Sequence, residues 1–122
     1  MALPKRVKIG GAYYAGHSLA VLAAAGDYVL DMTISVAGAA NALTVIPSVF
    51  GEGDTFSLLH VDSAGETKAT IGESIPNVGA YAAWRFDFPA MQKMAANDSF
   101  RLTYTNAAGK AMTVWTCIER IR

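Results

Sequence analysis

Alternation of apolar and polar positions runs through most of the chain. In "DYVLDMTISV" the residues Tyr28, Leu30, Met32, Ile34 and Val36 are apolar, and Asp31, Thr33 and Ser35 between them are polar. A period of two is that of a strand with one buried face. "SFRLTYT" repeats it, with Phe100, Leu102 and Tyr104 on one face and Arg101, Thr103 and Thr105 on the other. The turn formers of "NAAGK" follow and "AMTVWTCIERI" then returns, so the pattern predicts a hairpin from these two runs. Further strands are expected at 6–9, 18–24, 42–50, 55–61, 67–71 and 80–88, separated by "AGD", "AGAAN", "GEGD", "DSAGE" and "ESIPNVG". Eight or nine short strands at this spacing predict an all-β fold, an antiparallel β-sandwich of jelly-roll type.

One segment changes period. "PAMQKMAAND" places Met91, Met94 and Ala95 at i, i+3 and i+4 behind Pro89, which predicts a short helix near 89–97. "GDYVL", "GDTFSL" and "NDSFRL" each set an Asp before a strand; the spacing fits an Asx-type turn rather than the alternating carboxylates of a calcium loop. Residues 1–17 are expected to form an N-terminal arm or edge segment, and 18–122 a single sandwich domain.

The densest gathering of reactive residue types is "GAYAAWRFDFP" at 79–89. If this stretch is extended, Ala82, Trp84, Phe86 and Phe88 share one face, and Tyr81, Ala83, Arg85 and Asp87 the other. That division predicts a core strand with a wet Arg85/Asp87 pair. It weakens a sugar site, which needs rings and hydrogen-bonding groups on the same face. The last strand differs, because Met112, Val114 and Ile118 lie on one face and Trp115, Cys117 and Ile121 on the other. Apolar residues on both faces predict a strand in the sandwich centre or against another subunit.

Composition sharpens this picture. Of 122 residues 52% are hydrophobic and only 16% charged, against about 25% charged in typical domains. A surface so thinly charged suits association. The formal net charge is zero, which argues against nucleic acid as a partner. Charges are nevertheless segregated: residues 1–8 carry +3, residues 9–67 carry −6 and the remainder +3. "LAVLAAAG" is the longest apolar run and is too short to cross a membrane. With no apolar segment after the basic N-terminus, no secretory signal is expected. Cys117 is the single cysteine, which excludes an intramolecular disulfide and is expected to be a buried, inert thiol in a reducing cytoplasm.

The residues offer little for catalysis. Two histidines are present: His17 beside Ser18, and His60 with Asp62 two residues on, a spacing that puts both on one strand face. No nucleophile signature accompanies either. "GEGDT" lacks the lysine and helix of a phosphate loop, and two histidines are few for a zinc site. No catalytic residue, cofactor or metal is therefore expected.

In length, small-residue content and β alternation, the whole chain resembles the small β-sandwich or jelly-roll decoration (cement) proteins of tailed-phage heads. The resemblance carries no motif and transfers no residues. It implies a non-enzymatic virion protein on the outer capsid surface, assembled in the host cytoplasm, bridging neighbouring capsomers. Its implied partners are the major capsid protein and further copies of itself, as dimer or trimer. Lys5, Arg6, Lys8, Tyr13, Tyr14, Trp115 and Ile121 are the candidate interface residues, with "GGAYYAGHS" as a segment that orders on binding or forms an ordinary edge strand. The alternatives are a carbohydrate- or receptor-binding module using Tyr81, Trp84 or Trp115, a tail or connector subunit, and a small enzyme using His17 or His60.

Overall fold

The computed structural model describes residues 7–9, 12–19, 24–34 and 37–121, with side chains over 24–34 and 37–119. Its strands are β1 (Val7–Ile9), β2 (Ala12–Leu19), β3 (Gly26–Thr33), β4 (Gly38–Pro47), β5 (Thr55–Val61), β6 (Thr67–Pro76), β7 (Trp84–Met94), β8 (Ser99–Asn106) and β9 (Val114–Ile121). They form two antiparallel sheets, ordered β1-β2-β9-β4-β7 and β3-β8-β5-β6. Seven of them, β3 to β9, build the two facing layers, and the backbone of β1 and β2 extends the first sheet beyond β9. Pairing is nested: β5 with β6 innermost, then β4 with β7, β3 with β8 and β2 with β9, each successive pair in the opposite sheet.

The period-two rows decide which faces meet. Phe56, Leu58, Phe100, Leu102 and Tyr104 from one sheet oppose Leu43, Val45, Val114 and Ile118 from the other, all nearly fully buried. Each such side chain stabilises the fold by about 1.5–3 kcal/mol. Trp84 closes the layer edge-on against Phe56 with ring centroids 5.3 Å apart, and Phe88 stacks on Phe100 at 5.9 Å. Arg85 and Asp87 lie on the wet side, as their alternation predicts.

Two expectations fail. The helix predicted at 89–97 does not form, because β7 continues to Met94. Pairing jumps from Ala42↔Asp87 to Ala40↔Gln92, so 88–91 form a bulge opposite Asn41, with Met91 at φ 56. Burial of Met94 and pairing with β4 outweigh the weak local helical preference of so short a segment. The predicted hairpin between 99–105 and 111–121 is absent too. β8 lies between β3 and β5, while β9 lies between β2 and β4 in the other sheet. The Asn106 side chain grips both the carbonyl and the N–H of Lys110, at 2.8 and 3.1 Å, and the chain then crosses between sheets. That crossing lets Phe100, Leu102 and Tyr104 face Val114 and Ile118 across the core.

One end of the sandwich is organised by a buried carboxyl group. Asp54 accepts hydrogen bonds from the Tyr104 hydroxyl (2.6 Å) and the Ala107 N–H (2.7 Å), and its carbonyl accepts from the Asn77 N–H (3.0 Å). Asn77 Nδ2 in turn donates to the Tyr104 oxygen and the Val49 carbonyl, both at 2.9 Å. Burial, followed by the Asp54 hydrogen bond, holds the Tyr104 hydroxyl above the ordinary phenol value. Stability from this source is full below that ordinary value and is lost as pH rises through the raised one. Tyr104→Phe is expected to cost about 2 kcal/mol in urea unfolding at neutral pH and to flatten the alkaline decline of the wild type. Unchanged unfolding midpoints at neutral and alkaline pH would contradict the role given to this hydroxyl.

Candidate interaction surface

His60 and Asp62 do not pair: β5 ends at Val61, and Asp62 instead caps the following turn, accepting the N–H of Ala64 and of Glu66 at 2.9 Å each. His60 is turned into the interior, with Nε2 2.9 Å from Asp98 Oδ2 and Nδ1 2.9 Å from Gln92 Nε2. With the Gln92 amide donating to Nδ1, the ring donates from Nε2 to Asp98. That hydrogen bond, helped by the Ala95 N–H, holds the Asp98 carboxyl below its ordinary value. The three side chains tie the ends of β5 and β7 and the turn before β8 across the two sheets. His60 is only 4% exposed. The side chain of His17 lies outside the described residues.

Other polar groups are engaged on the surface. Arg85 bridges Asp87 (2.8 Å) and Glu119 (3.3 Å) on the outer face of the first sheet. Beside it a shallow groove of about 460 Å³ runs between the free edges of β6 and β7, with Thr70 and Ile71 on one side and Phe86, Asp87 and Gln92 on the other. Cys117 is half-buried rather than buried, and burial, then the Glu119 charge, pushes its thiol up, which disfavours a nucleophilic thiolate. Among the described residues no cluster of three or more His, Cys, Asp or Glu side chains is placed to hold a metal ion.

The exposed apolar side chains are more informative. Phe50 (45% exposed), Val78 (66%), Tyr81 (74%) and Trp115 (38%) belong to three stretches that meet at one end of the sandwich. The Tyr81 N–H donates to the Pro47 carbonyl at 2.8 Å, and the Ser48 N–H to Thr113 at 2.9 Å. Trp115 pairs with Ile46 across β9 and β4, one residue from the Pro47↔Val114 pair that closes the ladder. Lys110 lies over the Phe50 ring and donates to the Phe50 carbonyl at 2.9 Å. The buried Asp54, Tyr104 and Asn77 cluster lies directly beneath, so these loops are held in place rather than free to collapse inward.

Of the interface residues expected from sequence, Trp115 belongs to this end. Lys8, Tyr13, Tyr14 and Ile121 gather by backbone pairing toward the other end of the first sheet, through Lys8↔Tyr13, Tyr14↔Glu119 and Ala12↔Ile121. Their side chains, and Lys5 and Arg6 altogether, lie outside the described residues. Phe50 and Val78 were not expected from the sequence, and Tyr81 was expected only as a ring of the carbohydrate- or receptor-binding alternative. Their signal was a large apolar residue inside a turn-forming stretch, "SVFGEG" and "NVGAYA".

No protein-family model matches the chain, and no curated protein matches it by sequence. Solved structures match its fold at low identity. The SPBc2 prophage-derived protein YomS has 17% identity and a TM-score of 0.53, over 93% of this chain and 98% of that one. The serine protease of Aeromonas sobria has 12% identity and a TM-score of 0.53, over 100% of this chain but 28% of that one. The cyanophage Pam1 capsid asymmetric unit has 13% identity and a TM-score of 0.49, over 99% of this chain and 93% of that chain. The first two likenesses establish a shared two-sheet fold.

The polar joint at His60 carries a testable consequence. Because the folded state lowers the Asp98 pKa, this carboxyl stabilises the fold above its ordinary titration range, and the contribution is lost as pH falls through the lowered value. Asp98→Asn is expected to lower the melting temperature at neutral pH and to shrink the difference between neutral and acid melting temperatures. An unchanged acid limb in thermal unfolding from pH 7 to pH 2 would contradict the assignment.

Proposed function

We propose that this protein is a non-enzymatic structural component of a tailed-phage virion, which binds the outer capsid surface and bridges neighbouring capsomers. The observation that carries the reading is the gathering of Phe50, Val78, Tyr81 and Trp115 at one end, the first three on loops braced by buried hydrogen bonds and Trp115 on β9. Apolar side chains presented on a pre-organised frame form a docking surface, because little conformational freedom is lost on binding. The nested strand pairing is read as a jelly roll. The full-length likeness of fold to a prophage-derived protein supports a phage setting.

In this account the apolar end meets the shell, and the protein self-associates as a dimer or trimer on the capsid surface after assembly in the host cytoplasm. Binding to the assembled shell and not to its separated subunits stabilises the shell by mass action. Repetition over a symmetric lattice multiplies contacts that are individually modest. His60, offered for the enzyme reading, is enclosed in the interior; of the rings offered for a glycan, Trp84 packs on Phe56, while Tyr81 and Trp115 stay exposed.

Co-expressed with the major capsid protein encoded nearest its own gene, the protein is expected to sediment with assembled heads. The double variant Tyr81→Ala, Trp115→Ala is expected to weaken that binding by about tenfold or more with an unchanged melting temperature. Absence of wild-type protein from the sedimented heads would overturn the proposal.

A further inference from the structure

Among the described residues the two open sheets have four free edges, and each free edge exposes unpaired backbone N–H and C=O groups that another strand can use. Three of the edges here are blunted. In β7 the ladder is interrupted by the bulge at 88–91, which contains Pro89 and the left-handed Met91. In β6 the register against β5 shifts three times, Ser74 stands at φ 50 and the strand ends on Pro76. The edge strand β1 is three residues long. The fourth edge, β3, is different. It pairs with β8 in unbroken register over all eight residues from Gly26↔Asn106 to Thr33↔Ser99, with no proline and no bulge.

The side chains of β3 keep strict alternation along this intact edge. Asp27, Val29, Asp31 and Thr33 face outward, and Val29 is 56% exposed. Tyr28 and Leu30 face inward yet remain only half-buried, whereas Leu58 and Leu102, deeper in the same sheet, are fully covered. Among the described residues, therefore, nothing fully covers the flank of the core beside β3. Neither outward carboxylate is unengaged, because Arg101 donates twice to Asp31 (2.8 and 3.0 Å) and Thr105 donates to Asp27 (2.6 Å).

We propose that the protein dimerises through this edge, β3 adding antiparallel to β3 of a second copy about a twofold axis and joining two four-stranded sheets into one of eight. A second copy is the occupant that fits, because it brings the same in–out alternation in the same phase, as an isologous interface requires. The charges exclude one register and are compatible with another that pairs the most residues. Centring the pair on Leu30 places Asp27 opposite Thr33 and Val29 opposite Asp31. Centring it on Val29 would set Asp27 against Asp31, and like charges directly opposite are destabilising. The Leu30 register also lays Tyr28 beside the partner's Met32 and covers the open flank of both cores. This inference rests on the proposed self-association and gives it a surface.

Size-exclusion chromatography with light scattering on the wild-type protein is expected to give the mass of two chains. Val29→Glu, which sets a carboxylate against Asp31 of the second copy, is expected to give the mass of one with the circular-dichroism spectrum of the folded wild type. In a Cys117→Ser background, Leu30→Cys is expected to form a disulfide-linked dimer under mild oxidation, and Val29→Cys is not. A wild-type monomer, an oligomer that survives Val29→Glu, or a Leu30→Cys variant that does not cross-link would each overturn the edge pairing. Sedimentation with heads reports separately on the capsid reading. A monomer that still binds heads overturns the edge pairing alone, and a β3-linked dimer that never binds heads overturns the capsid reading alone.

Discussion

A carboxyl group taken out of water must find hydrogen-bond donors inside the protein, and the donors of Asp54 come from separate parts of the chain. Asp54 is 1% exposed and is satisfied by the Tyr104 hydroxyl from β8 and the Ala107 N–H from the loop that follows it. Its own backbone holds the 51–54 turn and the N–H of Asn77. The closeness of packing is visible at Gly51, where a Cβ would sit 1.8 Å from Asp54 Oδ2. Leaving any of these groups unpaired costs about 1–3 kcal/mol. The loops carrying Phe50, Val78 and Tyr81 are therefore arranged around one buried side chain, and the apolar end of the molecule depends on it.

A second polar joint stands at the far end of β5. There His60, Asp98 and Gln92 connect the two sheets by side chains, where the ladder hydrogen bonds cannot reach. Between the joints the interior is a mainly apolar layer of aliphatic and aromatic side chains, with the Thr116 hydroxyl buried among them. The polar joints select one arrangement of loops at each end, and the apolar layer supplies most of the cohesion. This division fits the proposed role of presenting a fixed surface.

The strands were legible wherever one face is buried and the other wet. The rows in "DYVLDMT", "TFSLLHV", "WRFDF" and "SFRLTYT" name their core residues directly, and Trp84, Phe86 and Phe88 pack inward with Arg85 and Asp87 outside. Connectivity was not legible, because a turn such as "NAAGK" looks the same whether it closes a hairpin or carries the chain to the other sheet. The segment after Pro89 misleads for a related reason: the apolar spacing at Met91, Met94 and Ala95 mimics a helix, yet Met94 is buried through a strand with a bulge behind it. The partner of His60 was hidden too, since Asp98 is far along the chain while Asp62 is near. Of the interaction surface, Trp115 could be read from its doubly apolar strand. Phe50 and Val78 could not, because loops leave no periodicity to read, and Tyr81 was legible only as a ring of the carbohydrate- or receptor-binding alternative.

The account makes the apolar end, braced by Asp54 and its donors, the part of the molecule that meets a shell. A cryo-electron microscopy reconstruction of heads carrying the bound protein tests this most directly. The account predicts that Phe50, Val78, Tyr81 and Trp115 pack against the capsid surface, with the Asp54 cluster intact above them. Bound protein with that end turned to solvent would contradict it.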